Sequence, residues 1–190
     1  MPLASEILPN FAGQLIDGGR YQLLDVLGSG AFGVVYRAVD NASLEDELVF
    51  YAVKCLLRSS KNPEAQMREF ALQMSVCDHP NIVTIRHIIC DESYIYVIMD
   101  YCPGGDLFGA ITERYLYENN DELIRTAFVQ LIDAVHACHE KGVFHRDLKP
   151  ENVLCSEDGS KVYLSDFGLA TRKKVCKDLR CGSVFYMSPG

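Results

Sequence analysis

The residues most able to carry out chemistry lie in the segment 145–152, which reads His-Arg-Asp-Leu-Lys-Pro-Glu-Asn. It places a carboxylate at Asp147, a cation at Lys149 and an amide at Asn152. A second carboxylate, Asp166, follows fourteen residues after Asn152 and opens the triplet Asp-Phe-Gly. Two hard oxygen donors of this kind suit a Mg²⁺ ion held against the phosphates of ATP. Taken singly, a buried capping aspartate or a chance triplet would explain either carboxylate.

A glycine-rich segment, residues 28–35, lies between two predicted strands and reads Gly-Ser-Gly-Ala-Phe-Gly-Val-Val. Glycines allow a tight turn and let backbone N–H groups approach phosphates closely. The same glycine spacing occurs in dinucleotide-binding folds, but there the glycines lead into a helix. Here residues 34–37 are typical of a strand. A glycine-rich hairpin that binds no ligand is the alternative for this motif alone.

A lysine, Lys54, follows Tyr-Ala-Val on the third predicted strand. A lysine on the inner face of a strand is costly unless counter-charges are near, and phosphates with a helical carboxylate would supply them. Glu69 is the best-placed helical acid. A solvated strand lysine is the alternative for this motif alone. Four motifs in this order, at residues 28–35, 51–54, 145–152 and 166–168, are very improbable by chance.

The elements that must position these residues change in type halfway along the chain. Apolar and β-branched runs predict five strands in the first half, at 21–27, 34–39, 49–56, 82–89 and 94–101. A helix begins at Pro63 between the third and fourth strands. Two further helices are predicted in the second half, from Asp106 to about Tyr117 and from Asp121 to about Lys141.

Composition limits the partners that we expect. Eighteen lysines and arginines against 26 aspartates and glutamates give a formal net charge of −8, which argues against nucleic acid as a partner. The eight cysteines include no Cys-x-x-Cys pair, which favours reduced thiols in an intracellular protein. Residues 1–19 do not resemble a signal peptide, and no apolar window approaches the ~18 residues of a membrane helix. We expect a soluble cytoplasmic or nuclear protein without a membrane partner.

The four motifs resemble those of eukaryotic protein kinases, from Tyr21 to the last residue. The form Lys-Pro-Glu-Asn resembles the serine/threonine class, and residues 181–189 resemble the version found in fungal serine/threonine kinases. The resemblance implies a bilobal α+β fold, with a five-stranded antiparallel N-lobe plus one helix and an incomplete helical C-lobe. It divides the chain into a leader at 1–19, the N-lobe and hinge at 20–102, and a partial C-lobe at 103–190.

The resemblance also assigns catalytic roles. Asp147 would accept the proton of the substrate hydroxyl, and Lys149 would neutralise charge near the γ-phosphate. Lys54 would grip the α- and β-phosphates, and Glu69 would pair with Lys54. Ser183 would replace the loop threonine of the family and contact Asp147 and Lys149.

ATP and Mg²⁺ are the implied cofactors, and serine or threonine hydroxyls of proteins are the implied acceptors. Asn152 and Asp166 would hold the metal. Asp106 and Glu151 lie where acids of related kinases meet substrate arginines. The residues implied for ATP binding are Leu27, Gly28, Ser29, Gly30, Ala31, Phe32, Gly33, Val35, Ala52, Lys54, Met99, Asp100, Tyr101, Cys102 and Leu154.

Three departures from the family pattern leave alternatives open. The usual Ala-Pro-Glu triplet reads Ser-Pro-Gly at 188–190, the chain is expected to be truncated at Gly190, and Gln73 occupies a position that is usually apolar. A non-catalytic ATP-binding or interaction fragment, or a pseudokinase, is therefore the main alternative. A nicotinamide-dependent oxidoreductase is a more distant one, because no βαβ pattern surrounds the glycines.

Overall fold

The computed structural model describes residues 8–30, 33–44, 47–59, 63–173 and 181–187. Two predicted ATP-binding residues, Ala31 and Phe32, lie outside these ranges, as does the segment 188–190. The chain forms two compact units. The first unit comprises residues 1–63 and 85–101, and the second comprises residues 64–84 and 102–190.

An antiparallel sheet of six strands forms the first unit. The strands are β1 (Leu15–Ile16), β2 (Tyr21–Gly30), β3 (Gly33–Asp40), β4 (Phe50–Leu57), β5 (Ile85–Cys90) and β6 (Tyr94–Asp100), in the spatial order β1-β2-β3-β4-β6-β5. Buried and part-exposed residues alternate along β3, as expected for a strand with one face against a core. That core contains Phe11, Ile16, Tyr21, Leu23, Tyr36, Ala38, Val53, Cys55, Tyr96 and Ile98.

The prediction of five strands is wrong by one. The sixth strand, β1, lies inside the predicted leader and pairs with the start of β2, with Ile16 opposite Tyr21. Phe11 anchors the same segment, because its ring lies edge-on to that of Tyr94 at a centroid distance of 5.0 Å. Residues 8–19 therefore pack on the sheet, since burying these apolar side chains stabilises the segment. The boundaries at 19/20 and 102/103 remain a prediction.

Three helices and one small hairpin form most of the described second unit. The helices are α1 (Pro63–Met74, whose first residue belongs to the first unit), α2 (Leu107–Thr112) and α3 (Asp121–Glu140). The hairpin consists of β7 (Val153–Cys155) and β8 (Val162–Leu164). Single turns of 3₁₀ helix lie at Pro150–Asn152 and Val184–Tyr186. No helix within the described ranges is both long and apolar enough to cross a membrane.

Side-chain caps explain where α2 and α3 begin. Asp106 caps α2 by accepting a hydrogen bond from the backbone N–H of Gly109, and Asn120 caps α3 in the same way through Leu123. Helix α2 ends five residues before the predicted Tyr117, and Tyr115 has a φ of 53°, which a right-handed helix does not allow. The predicted end of this helix is therefore wrong.

Two apolar clusters stabilise the second unit and hold its functional loops. One cluster joins α1 and α3 to the end of β8, through Leu72, Val76, Ile82, Ala134, Cys138, Val143, Leu164 and Phe167. The other joins α2 and α3 to the hairpin, through Ala110, Tyr117, Ala127, Val153, Cys155 and Val162. The segments 145–152 and 165–168 therefore adjoin elements with buried cores.

Candidate active site

The register of the sheet places four predicted ATP-binding residues on one face of the first unit. Val35 lies opposite Lys54, and Ala52 lies opposite Met99. Because residues two apart in a strand share a face, all four lie on the same side of the sheet. The intervening Val53 belongs to the core on the other side. The predicted nucleotide-binding face is therefore the side of the sheet that does not pack against this core.

The glycine-rich segment joins β2 to β3 as a hairpin. Gly28 lies opposite Val35, and Gly30 lies opposite Gly33. Gly33 has a φ of 140°, and a Cβ atom there would collide with the backbone carbonyl of Cys55. Only glycine fits this position without moving the hairpin away from β4. A Cβ at Gly28 or Gly30 would meet no heavy atom within 4 Å, so the backbone is open there.

The remaining predicted ATP-binding residues are divided between the units. Leu27 and Ser29 lie in β2, and Asp100 ends β6, where its carboxylate accepts a hydrogen bond from Arg86 Nε at 2.6 Å. The hinge residue Tyr101 also belongs to the first unit. Cys102 and Leu154 belong to the second unit, where Leu154 lies opposite Tyr163 in the small hairpin.

The predicted ion-pair partners Lys54 and Glu69 also belong to different units, and their pairing remains a prediction. Within the second unit, Glu69 lies beside the Asp-Phe-Gly turn. A Cβ atom built on Gly168 would lie 3.6 Å from Glu69 Oε2. Helix α1 therefore brings this carboxylate next to the segment that carries Asp166.

Asp147 is the centre of the polar network in the second unit. Ser183 donates to Asp147 Oδ1 from both its backbone N–H and its hydroxyl, each at 2.8 Å. Lys149 Nζ lies 3.0 Å from Asp147 Oδ2 and donates to Ser183 Oγ at 3.0 Å. Asn152 Nδ2 donates to Asp147 Oδ2 at 3.0 Å and to the Asp147 carbonyl at 2.8 Å. The predicted contact of Ser183 with Asp147 and Lys149 is present.

These contacts keep Asp147 ionised. Its burial favours the neutral acid, but the hydrogen bonds from Lys149, Ser183 and Asn152 outweigh that effect and hold the pKa below its usual range. At neutral pH the side chain is a carboxylate and can only accept hydrogen bonds.

The stability of the protein in acid should depend on this arrangement. Because the pKa of Asp147 is depressed in the folded state, its ionisation stabilises the fold above the unfolded pKa of ~3.9, and this stability is lost as the pH falls through the folded value. We expect Lys149→Met to move the midpoint of acid unfolding, followed by circular dichroism, to higher pH. Lys161→Met at an exposed site is the control, and equal midpoints for the two variants would contradict the prediction.

His145 and Ser165 position the segment 145–152, and the sequence analysis assigned a role to neither residue. His145 is buried, and burial lowers the pKa of its imidazole and keeps the ring neutral. Its Nε2 lies 2.8 Å from the Ser165 carbonyl, and its Nδ1 accepts the N–H of Asp147 at 3.3 Å. Its ring also packs edge-on against Phe167 at 4.8 Å. A histidine two residues before Asp147 was the available signal in the sequence.

The two predicted metal ligands are linked through Ser165. The backbone N–H and hydroxyl of Ser165 both donate to the Asn152 carbonyl at 2.9 Å, and Asp166 follows directly. Asn152 donates its amide group to Asp147, which leaves its side-chain oxygen as a possible ligand. Mg²⁺ is usually bound by one or two protein oxygens together with substrate phosphates and water. The donor set of Asn152 and Asp166 therefore fits Mg²⁺.

Two residues of the site have left-handed backbone conformations. Arg146 has a φ of 68° and Asp166 a φ of 57°. Such conformations cost about 1–3 kcal/mol for non-glycine residues and persist where the surroundings hold them in place. Arg146 Nε donates to the Leu169 carbonyl at 2.6 Å, which connects the segment 145–152 to the residues after Asp166.

Gly182 determines whether Ser183 can reach Asp147. Its φ is 103°, and a Cβ atom there would lie 2.7 Å from the Arg146 carbonyl oxygen. We expect Gly182→Ala to displace Ser183 and to lower kcat at least about tenfold, because shifts near 1 Å can cost up to ~100-fold. The measurement is steady-state phosphorylation of a peptide, the activity that the family resemblance implies.

Gly142→Ala is the matched control for this variant. Gly142 also has a positive φ, of 67°, but an added Cβ atom would meet nothing within 4 Å. If the two variants lost kcat equally, backbone strain alone would explain the loss, and the prediction would be contradicted.

Comparison with known proteins identifies the family of the chain. The protein kinase domain family matches residues 21–190. A Schizosaccharomyces pombe protein named negative regulator of sexual conjugation and meiosis is 47% identical over 180 residues, covering 93% of this chain and 37% of that protein. Serine/threonine-protein kinase ksp1 of the same yeast is 37% identical, covering 93% of this chain and 38% of its own length. CBL-interacting protein kinase 16 of rice is 38% identical, covering 90% of this chain and 38% of that protein.

The chain therefore belongs to the protein kinase domain family, within the serine/threonine class of eukaryotic kinases. The predicted family resemblance and the α+β kinase-like fold class are confirmed. The chain spans less than two fifths of the length of the curated relatives described above.

Proposed function

We propose that the protein transfers the γ-phosphate of ATP to serine or threonine hydroxyls of other proteins. The observation that supports this proposal most directly is the position of the Ser183 hydroxyl, which lies 2.8 Å from Asp147 Oδ1 and 3.0 Å from Lys149 Nζ. An aliphatic hydroxyl can therefore reach this carboxylate at the distance that proton transfer requires. A substrate serine presented to Asp147 would meet the same two groups.

The proposed reaction uses the second unit for chemistry. Asp147 accepts the proton of the attacking hydroxyl, and the oxygen of that hydroxyl forms the new bond to the γ-phosphorus as ADP leaves. Lys149 offsets negative charge on the transferred group. Bound Mg²⁺, held by Asn152 and Asp166, would neutralise charge on the phosphates. Catalysis then consists mainly of positioning and electrostatic stabilisation.

The first unit supports the donor side of the proposal. Lys54 and Val35 share a face of the sheet with Ala52 and Met99, and the glycine hairpin has open backbone at Gly28 and Gly30. An exposed glycine-rich segment and a cation suit phosphates, while the apolar side chains suit an adenine ring.

Full-length protein incubated with radiolabelled ATP, Mg²⁺ and three peptides that differ only in a serine, threonine or tyrosine acceptor tests the proposal. We expect label on the serine and threonine peptides. Label confined to tyrosine would refute the acceptor class. ATP-dependent thermal stabilisation without label on any peptide would favour the alternative, a non-catalytic ATP-binding protein.

We also expect substrates with arginine before the acceptor. Glu151 is exposed on the turn that follows Lys149, whereas Asp106 uses one carboxylate oxygen to cap α2, so Glu151 gives the cleaner test. Glu151→Gln should raise the KM of an arginine-containing peptide about threefold, as expected for one exposed charge pair, and leave kcat unchanged. Glu157→Gln, also exposed, is the control. An unchanged KM in Glu151→Gln would refute this preference.

A further inference from the structure

Four charged, amide or imidazole side chains are buried among the described residues, and each has a hydrogen-bond partner. In three of them the partner belongs to a contact within the sheet or the site: Asp40 pairs with Arg20, His145 contacts Ser165, and Asn152 contacts Asp147. The fourth is Gln73, with 4% of its surface exposed. A buried amide is costly without hydrogen bonds, so its contacts indicate its role.

Gln73 joins α1 to the chain segment that follows the helix. Its Nε2 donates to the backbone carbonyl of Val83 at 2.9 Å. Gln73 lies four residues after Glu69, and residues at this spacing share one face of a helix. The hydrogen bond therefore anchors α1 one helical turn after Glu69, on the same face of the helix as Glu69.

Val83 continues the connection to the segment that carries Asp166. The Val83 N–H donates to the Leu164 carbonyl at 3.0 Å, and the Leu164 N–H donates to the Asn81 carbonyl at 2.8 Å. Leu164 is the last residue of β8 and lies two residues before Asp166. A continuous series of hydrogen bonds thus runs from Gln73 through Val83 to the strand that leads into the Asp-Phe-Gly turn.

The surroundings of this series are apolar. Leu72, Val76, Ile82, Leu164 and Phe167 belong to one buried cluster of the second unit. In such a low-dielectric setting a hydrogen bond is stronger, and a carbonyl that loses its donor is more costly. An apolar residue at position 73 would fill similar space but would not hold Val83.

We infer that Gln73 is a positioning residue, which fixes Glu69 relative to Asp166 and Gly168 through the backbone of Val83 and Leu164. The role in catalysis rests on the proposed kinase function. Glu69 already lies beside Gly168, so a shift of α1 along its axis would separate the two. Apolar packing alone permits such sliding, whereas a directional hydrogen bond opposes it.

Hydrogen exchange on the full-length protein tests the anchoring without any need for activity. In Gln73→Met, the amides of α1 should exchange about tenfold faster than in the unsubstituted protein, because a net loss near 1.4 kcal/mol corresponds to a factor of ten. Gln14→Met, the same substitution at an exposed glutamine, should leave α1 unchanged. Equal exchange of α1 in the two variants would overturn the inference.

A double-mutant cycle tests whether Gln73 acts through Glu69. Gln73→Met should lower kcat/KM for ATP about tenfold in the unsubstituted protein, but less than about twofold in a Glu69→Gln background, because coupled residues are not additive. Equal losses in both backgrounds would show an independent, merely structural effect and overturn the inference. If the unsubstituted protein transfers no phosphate, the proposed function fails, and hydrogen exchange still decides whether Gln73 anchors α1.

Discussion

Asp147→Asn should lower kcat for peptide phosphorylation about 10³-fold, within the range attributed to a general base. The carboxylate accepts hydrogen bonds from Ser183, Lys149 and Asn152, and its depressed pKa keeps it ionised. An asparagine has similar size but only one acceptor oxygen, and it cannot take a proton from a hydroxyl. Its NH₂ group would also meet donors already present on the neighbouring side chains.

The control for this variant is Asp133→Asn, the same substitution at an exposed site on α3. It should keep the kcat of the unsubstituted protein. ATP binding by Asp147→Asn, followed by thermal shift, should also be retained, because Asp147 is not among the predicted nucleotide ligands. Turnover by Asp147→Asn within tenfold of the control would exclude Asp147 as the base.

Asp166→Asn should abolish the stabilisation that ATP gives only in the presence of Mg²⁺. A ligand at 100 times its Kd stabilises a protein by ~2.7 kcal/mol, which corresponds to several degrees in Tm for a domain of this size. Asp166 is the only carboxylate of the two predicted metal ligands, and an amide oxygen binds Mg²⁺ more weakly than a carboxylate does. The measurement is the ATP-dependent shift in Tm with Mg²⁺ and with EDTA.

Asp133→Asn again serves as the control and should keep the full Mg²⁺-dependent shift. A shift that is unchanged in Asp166→Asn would show that Asp166 does not hold the metal. A shift lost equally with and without Mg²⁺ would mean that the substitution disturbs the nucleotide site directly, and it would also contradict the assignment.

The motifs were predictable from the sequence because each of them is a local requirement. Gly33 must be glycine because of its φ and of the carbonyl of Cys55 beside it, and such a position appears in the sequence as a glycine. The strands β2, β3 and β4 were predictable within a few residues, since each is a short run rich in apolar and β-branched residues that glycine or polar clusters bound. The start of α3 was predicted at Asp121 because aspartate is typical of a helix N-terminus, although the capping side chain is that of Asn120, one residue before.

The tertiary structure decided how residues far apart in the chain are able to meet. The family resemblance implied that Ser183 contacts Asp147, 36 residues away, but only the structure shows that Gly182 allows this contact, because the Arg146 carbonyl leaves no room for a side chain. No local pattern marked β1 as a strand, since two residues have no period to detect and its pairing with β2 stabilises it.

Gln73 shows the same division between sequence and structure. The sequence revealed a polar residue at a position that is usually apolar, and only the fold showed that it is buried and donates to Val83. The sequence by itself determined the family and most of the elements and predicted the chemistry, because residue types, glycines and periodicity are local. The tertiary structure decided which of these residues meet, because a hydrogen bond in a buried core depends on the packing of segments far apart in the chain.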